Sequence, residues 1–263
     1  MTEFATTAHG DRVAYDRRGE GPGLVFIAGG GPIFRANDPV TSATAELASA
    51  AGLCTVVYDR LGRGESRAGG RLTLERELGA VAAMLEVVGG RAVLCGHSSG
   101  CSIALAAADA GLPVASLALW EAPLGDPSEK VRRWFAEFER RLDAEDYVGA
   151  TEQYMEDMPP EWLEGLRQSP DFAEIARGAV SQRADGESLV WATHALEDGS
   201  LAGLHTPLLA MYGTSTLPEM PSAAAWIASV VTGTSVEEMP GTDHTWEAEP
   251  MARRLAELAL THP

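Results

Sequence analysis

The feature that most constrains the fold is a short apolar run that leads straight into a serine flanked by glycines. Residues 92–95 are small or apolar without alternation, which is typical of a strand covered on both faces. Residues 96–100 follow the pattern G-x-S-x-G, and strong helix formers fill residues 102–109. A strand, a tight turn and a helix in this order predict that Ser98 stands above a sheet edge, near a helix N-terminus. The alternative is an ordinary strand-to-helix turn in which the serine only caps the helix.

Apolar runs and helix-forming stretches alternate along most of the chain. The runs predict six buried strands, at residues 24–28, 54–58, 92–95, 114–120, 206–212 and 234–239. Two more short strands are expected within residues 4–18. This alternation predicts an α/β protein with a doubly wound, mostly parallel sheet. Binding and catalytic sites in such sheets form at the C-terminal ends of the strands.

The alternation breaks at residues 124–201, which are helix-like, acidic and rich in aromatic residues. We interpret this stretch as a helical cap, or lid, inserted into a core formed by residues 1–123 and 202–263. The cap contains eight of the 17 aromatic residues in the chain. Four of these are expected to line an apolar substrate pocket: Trp134, Phe138, Tyr154 and Trp191. The alternative is that these rings pack the cap against itself and against the core.

Composition and motif content exclude several classes of protein. A net charge of −18 argues against nucleic acid and against an anionic membrane surface as partners. No apolar run is long enough to span a membrane, and the first residues do not resemble a signal peptide. No metal-ligand spacing, P-loop or dinucleotide fingerprint is visible, so we expect no metal and no cofactor. The expected partner is a small-molecule substrate, and the sequence leaves monomer and homodimer both open.

Three cysteines, Cys54, Cys95 and Cys101, lie in or beside apparent core elements. An odd number of cysteines in such positions favours reduced thiols and a cytoplasmic protein. A nucleophilic role for Cys95 or Cys101 stays open, although a small core-filling role is the simpler interpretation.

Four motifs together resemble the α/β-hydrolase fold. They are AGGGP at residues 28–32, YDRLGRGES at residues 58–66, GHSSG at residues 96–100 and PGTDH at residues 240–244. The resemblance covers nearly the whole chain and implies the serine-hydrolase branch with a helical cap. It also implies a nucleophile after the fifth strand, an acid later in the chain and a histidine near the end.

Serine is a weak nucleophile and needs a general base, and the resemblance implies His244 for that role. Most of the family places an aspartate after the seventh strand, but residues 213–221 contain none. A minority of the family uses a carboxylate at the end of the sixth strand, where this chain has Glu121. Glu219 is the fallback for the acid. Asp243 is adjacent to His244 in the chain and is therefore poorly placed to orient its ring. The alternatives are a solvated loop histidine and a glutamate that only caps or pairs at the cap junction.

The resemblance also implies an oxyanion hole made of two backbone N–H groups, those of Gly30 and Ser99. Ala28 stands where the family often has a histidine, so a supporting hydrogen bond is expected to be missing. We expect Asp59 and Arg60 to pair with each other and hold their loop.

These features predict a serine hydrolase that cleaves a small or medium, fairly apolar ester, lactone, thioester or amide through an acyl-enzyme on Ser98. The first alternative is a non-hydrolytic enzyme on the same fold, such as a lyase, cyclase or acyltransferase. The second is a catalytically silent protein that binds a small molecule. Dehalogenase chemistry is not expected, because that branch of the family needs aspartate in place of Ser98.

Overall fold

In the computed structural model, which describes residues 2–262, nine strands form one sheet. The strands are β1 (Glu3–Thr6), β2 (Arg12–Arg18), β3 (Gly23–Ile27), β4 (Cys54–Tyr58), β5 (Ala92–His97), β6 (Val114–Trp120), β7 (Leu208–Ser215), β8 (Ser235–Thr242) and β9 (Thr245–Trp246). Their order across the sheet is β1-β2-β4-β3-β5-β6-β7-β8-β9. Strands β3 to β8 pair in parallel, whereas β1, β2 and β9 pair antiparallel with their neighbours. The predicted fold class is therefore confirmed.

Strand β9 was not predicted, because two residues are too few to show a periodic pattern. It pairs with the end of β8, with Gly241 opposite Trp246. Asp243 and His244 form the two-residue turn between them, with φ angles of 50° and 64°. Two left-handed residues in a row are what a tight two-residue hairpin requires.

Helices cover both faces of the sheet. They are α1 (Pro39–Ala50), α2 (Leu74–Val87), α3 (Gly100–Asp109), α4 (Ser128–Asp143), α5 (Tyr147–Tyr154), α6 (Pro160–Arg167), α7 (Phe172–Ala176), α8 (Arg183–Glu197), α9 (Met220–Val230) and α10 (Ala248–Thr261). One apolar cluster joins the sheet to α1 and α10, and a larger one joins its other face to α2, α3, α8 and α9. Within residues 2–262, no helix is long and apolar enough to cross a membrane.

Helices α4 to α8 form an insertion between β6 and β7, as the break in the sequence pattern predicts. The insertion is not uniform. Its last helix, α8, buries Ala192, Ala195 and Leu196 in the same apolar cluster as the sheet. Trp191 packs against that cluster as well. Helix α8 therefore covers the sheet directly, and it connects the insertion to the helices on the same face of the sheet.

The turn between β5 and α3 depends on glycine at both ends. A Cβ atom on Gly96 would lie 2.7 Å from the Cα atom of Cys101. A Cβ atom on Gly100 would lie 2.3 Å from the carbonyl oxygen of Ile27. Because both obstacles are backbone atoms, they cannot move aside as a flexible side chain would. This close approach brings the start of α3 against β3.

We expect Gly100→Ala to destabilise the protein by about 1–3 kcal/mol or more, since the added methyl group overpacks the contact with β3. Urea unfolding measures the effect. The control is Gly165→Ala in α6, where nothing lies within 4 Å of the added Cβ. That variant should be neutral or slightly more stable, because alanine is the better helix former. Equal effects at both positions would contradict this account of the turn.

Candidate active site

Ser98 occupies a strained turn at the C-terminal end of β5. Its φ angle is 54°, a left-handed conformation that non-glycine residues seldom adopt. Two backbone hydrogen bonds hold the turn: the Ser98 N–H donates to Trp120 O at 2.9 Å, and the Cys101 N–H donates to Ser98 O at 2.9 Å. The side chain lines a cavity between the sheet and the insertion. The turn therefore presents its serine to the cavity, as the G-x-S-x-G pattern predicts.

Glu121 follows β6 directly and is also left-handed, with a φ of 48°. Its carboxylate is buried and fully engaged. Oε1 accepts hydrogen bonds from the Gly213 N–H at 2.9 Å and from the Thr216 hydroxyl, and Oε2 lies 2.5 Å from Nδ1 of His244. Burial alone raises the pKa of Glu121, but the bonds from His244, Thr216 and Gly213 outweigh it, so its pKa lies below the ordinary value. The carboxylate is therefore ionised at neutral pH.

His244 lies at the tip of the β8–β9 hairpin and lines the same cavity as Ser98. Its carbonyl oxygen accepts hydrogen bonds from Nε1 of Trp120 at 3.2 Å and from Nε2 of His97 at 2.8 Å. These bonds fix the strained hairpin, while Glu121 fixes the ring. Because Nδ1–H donates to an ionised carboxylate, the neutral imidazole carries its lone pair on Nε2.

The ring of His97 packs against the ring of His244. The two ring centroids are 4.9 Å apart. Burial, together with the nearby His244, lowers the pKa of His97 to about 4. The ring is therefore neutral near pH 7, and its Nε2–H is the donor to the His244 carbonyl.

The other two carboxylates that the sequence offered are not bonded to His244. Glu219 lines the cavity at the start of α9, and Asp243 is exposed in the hairpin turn. Within residues 2–262, the hydrogen-bonded carboxylate partner of His244 is Glu121 alone.

The glycine loop after β3 lies against Ser98. A Cβ atom on Gly29 would lie 2.9 Å from the Cβ of Ser98, and one on Gly30 would lie 2.0 Å from the hydroxyl oxygen of Tyr154. A side chain at either position would force Ser98 or Tyr154 to shift, which favours glycine at both. Among the described residues 2–262, the backbone N–H groups of Gly30 and Ser99 bond to no backbone carbonyl. Two free N–H groups beside a serine are suited to an anionic oxygen.

The cavity has a volume of about 1300 Å³. Its lining includes Ser98, His244 and the glycine loop on one side and helices of the insertion on the other. Much of the lining is apolar: Trp134, Tyr154, Met155, Trp162, Leu166, Ile175, Leu189, Leu217 and Met220. Charged residues also line it, among them Lys130, Arg133, Glu152 and Asp157. The space suits a fairly apolar small molecule.

Comparison with known proteins assigns the chain to a family. The sequence pattern of the Alpha/beta hydrolase family matches residues 24–258. The chain belongs to the alpha/beta hydrolase family. A comparison with curated proteins finds no significant match.

Solved structures of similar fold include several hydrolases. An alpha/beta hydrolase from Sphaerobacter thermophilus is 24% identical with a TM-score of 0.77, and the match covers 97% of this chain and 99% of that one. A thermophilic esterase from Thermogutta terrifontis is 21% identical with a TM-score of 0.69, over 100% of both chains. A haloalkane dehalogenase from Bradyrhizobium elkanii is 18% identical with a TM-score of 0.68, over 99% of this chain and 96% of that one. At such identities the likeness shows the fold alone.

Of the four cap aromatics expected in the pocket of this alpha/beta hydrolase, Trp134 and Tyr154 line the cavity. Phe138 and Trp191 do not. Phe138 is completely buried behind them, with its ring stacked 5.5 Å from Trp134 and tilted 5.7 Å from Tyr154. Trp191 packs on the core side of α8. Phe138 therefore supports the cavity wall from outside the cavity, whereas Trp191 belongs to the core layer.

Trp162 is a cavity residue that we did not single out from the sequence. It lies on α6 with its ring centroid 6.2 Å from that of His244. Helix α6 has no buried residue, so no core pattern in the sequence indicates which way its aromatic side chain faces.

The expected pairing of Asp59 with Arg60 is wrong. Asp59 instead accepts from the backbone N–H groups of Arg35 and Glu65, each at 2.8 Å. The guanidinium of Arg60 turns inward and contacts Asp185 of α8 at 2.5 Å. Sequence distance explains the error, because Asp185 follows Arg60 by 125 residues.

The cysteines of this alpha/beta hydrolase are free and buried. Burial raises the pKa of Cys95 to about 12, and the pKa of the Cys101 thiol also lies well above its ordinary value because of burial. Both stay protonated near pH 7, whereas a nucleophilic cysteine reacts as the thiolate. Buried, protonated thiols are poor nucleophiles, which favours Ser98 over either cysteine. Within residues 2–262, no group of His, Cys, Asp or Glu is arranged to hold a metal ion.

We expect Glu121→Gln to slow covalent labelling of Ser98 by a fluorophosphonate by about 10²–10⁴-fold, since glutamine neither fixes the His244 tautomer nor stabilises imidazolium. Intact-mass spectrometry over time gives the rate. Asp243→Asn is the matched control, because Asp243 is adjacent to His244 but not bonded to its ring. An equal loss in Asp243→Asn, or a loss in Glu219→Gln with none in Glu121→Gln, would contradict the assignment of the carboxylate.

The half-buried His97 should make stability depend on pH. Its pKa is about 4 in the folded protein against an ordinary value of 6.5, so the unfolded chain binds more protons between these values. The free energy of unfolding should therefore fall as the pH drops from 6.5 towards 4. His97→Asn should flatten this part of the profile, whereas His205→Asn, at an exposed position, should leave it unchanged. Urea unfolding at a series of pH values measures both, and parallel profiles for the parent and His97→Asn would refute the prediction.

Proposed function

We propose that this alpha/beta hydrolase is a serine hydrolase that cleaves a small or medium, fairly apolar ester, lactone, thioester or amide through an acyl-enzyme on Ser98. The observation that carries the proposal is the 2.5 Å contact between Glu121 and His244, made at the edge of the cavity that Ser98 lines. Ser98, Glu121 and His244 also share a left-handed backbone, and such strain concentrates at functional sites.

The reaction begins with Oγ of Ser98 attacking the substrate carbonyl carbon, while Nε2 of His244 accepts the hydroxyl proton. Glu121 holds the imidazole in the required tautomer and stabilises the imidazolium that forms. The low pKa of Glu121 supports this role, because the carboxylate keeps its charge at neutral pH.

The developing oxyanion accepts hydrogen bonds from the N–H groups of Gly30 and Ser99. His244 then gives its proton to the leaving group, which leaves an ester between Ser98 and the acyl part. His244 next takes a proton from water, and the hydroxide that forms attacks the acyl carbon. The acid departs, Ser98 regains its proton and the cycle closes.

The cavity supports a fairly apolar substrate. Trp134, Tyr154 and Trp162 contribute flat apolar walls, and the volume of about 1300 Å³ accommodates a molecule of medium size. Residues 124–201 act as the cap that supplies these walls, and residues 1–123 and 202–263 act as the catalytic core. The buried free thiols are consistent with a reducing, cytoplasmic location.

We expect Ser98→Ala to lower the hydrolysis of the best substrate from an ester and lactone screen by about 10³-fold or more, because no acyl-enzyme can form. Initial rates measured with purified protein test this. Ser229→Ala, at an exposed position on α9, is the control and should keep the parent rate. Hydrolysis that persists unchanged in Ser98→Ala would overturn the proposal.

Isotope labelling separates hydrolysis from other chemistry on this fold. Turnover in ¹⁸O-labelled water should place one labelled oxygen in the acid product, since water releases the acyl group. A product without solvent oxygen would instead indicate a lyase, cyclase or acyltransferase. Saturable binding of apolar esters with no turnover would indicate a silent binding protein.

A further inference from the structure

A cluster of buried charges lies behind the glycine loop, outside the cavity. Its members are Arg60, Arg63, Glu77 and Asp185, whose side chains are 0%, 3%, 2% and 0% exposed. Arg60 and Arg63 contact the two carboxylate oxygens of Asp185 at 2.5 and 3.0 Å, and Arg60 lies 3.3 Å from Glu77. Buried ion pairs seldom stabilise a fold more than apolar side chains of similar volume would. The cluster therefore calls for a role other than stability.

The two arginines hydrogen-bond to one peptide group of the glycine loop. Nη1 of Arg63 donates to the carbonyl oxygen of Gly29 at 2.5 Å, and Nη1 of Arg60 approaches the same oxygen at 3.3 Å. Arg60 also donates to the carbonyl of Ala28 at 3.1 Å. Peptide groups of this loop thus accept charge-assisted hydrogen bonds, which are stronger than neutral ones.

The carbonyl of Gly29 and the N–H of Gly30 belong to the same planar peptide group. In a trans peptide they point in opposite directions, so fixing the oxygen fixes the N–H. A cation on the oxygen also polarises the group and makes its N–H a stronger donor. The guanidinium of Arg63 therefore acts on the Gly30 N–H from behind the loop.

Asp185 links Ser99, whose backbone N–H is the second proposed donor, to the same cluster. The Ser99 hydroxyl donates to Oδ1 of Asp185 at 2.7 Å, and Nε of Arg63 donates to the hydroxyl of Ser181 at 3.1 Å. Asp185 lies on α8, and Ser181 lies just before that helix. The insertion thus contributes a carboxylate that joins the turn after Ser98 to the loop at Gly29.

We propose that Arg63 and Asp185 are positioning residues of the oxyanion hole: Arg63 orients and polarises the peptide that donates the Gly30 N–H, and Asp185 holds Arg63 and Ser99 in register. This inference rests on the proposed serine-hydrolase function. It gives a reason for two buried arginines in the loop after β4, and it assigns to the insertion a part in arranging the catalytic core.

The test uses Arg63→Gln, Arg63→Lys and Asp185→Asn in the full chain. We expect Arg63→Gln and Asp185→Asn to lower kcat by about 10–100-fold with little change in KM, since a lost support should cost less than a lost donor. Affinity for a trifluoromethyl ketone, whose adduct places an oxyanion in the hole, should fall by a similar factor. Arg63→Lys should recover part of the loss, because an ammonium can still donate to Gly29 O.

Arg183→Gln is the matched control. Arg183 is another buried arginine, on the same helix as Asp185, but it pairs with Glu139 and Asp143 of α4. The Arg183→Gln substitution should lower the midpoint of thermal unfolding without changing kcat or the affinity for the ketone. If Arg63→Gln does not fold, the comparison of Arg63→Lys with Arg183→Gln still decides, because only the former should weaken ketone binding.

Three outcomes would overturn the inference: unchanged kcat in Arg63→Gln, a loss that appears in KM alone, or an equal loss of ketone affinity in Arg183→Gln. Ser98→Ala, measured in parallel, separates this failure from failure of the proposed function. If Ser98→Ala is inactive while Arg63→Gln keeps its kcat, the positioning role alone is wrong. If Ser98→Ala keeps its activity, the serine-hydrolase proposal fails first.

Discussion

The hydrogen bond between Glu121 and His244 is the interaction on which the geometry of this site depends. It joins the end of β6 to the tip of the β8–β9 hairpin, and both residues adopt a left-handed backbone. Such strain costs about 1–3 kcal/mol per residue and persists only where the surroundings fix it. Here the donors are in place: Trp120 and His97 bond the His244 carbonyl, and Gly213 bonds the Glu121 carboxylate.

The site uses the parallel sheet as a frame, because the C-terminal ends of neighbouring strands lie together at one edge. That edge brings Ser98 after β5 beside Glu121 after β6, and the glycine loop after β3 lies against Ser98. The insertion serves two purposes in this account. Its helices line the cavity, and α8 also contributes Asp185, which pairs with Arg60 and Arg63.

Local patterns in the sequence were sufficient to predict the parallel strands of the sheet, the turn that carries Ser98 and the position of a carboxylate at the end of β6. Each of these follows from a strand and the residues directly after it. Contacts between distant segments could not be predicted. The pairing of Arg60 with Asp185, the stacking of Phe138 behind Trp134 and the core-facing side of Trp191 all depend on how helices of the insertion pack, which short-range periodicity does not encode.

The nucleophilic role of Ser98 is tested most directly by treating the unmodified protein with a fluorophosphonate and mapping the adduct by peptide mass spectrometry. One adduct per chain, on Ser98, is the expected result, because Ser98 is the residue that we propose His244 and Glu121 activate. No adduct under any condition, or an adduct on another residue, would contradict it.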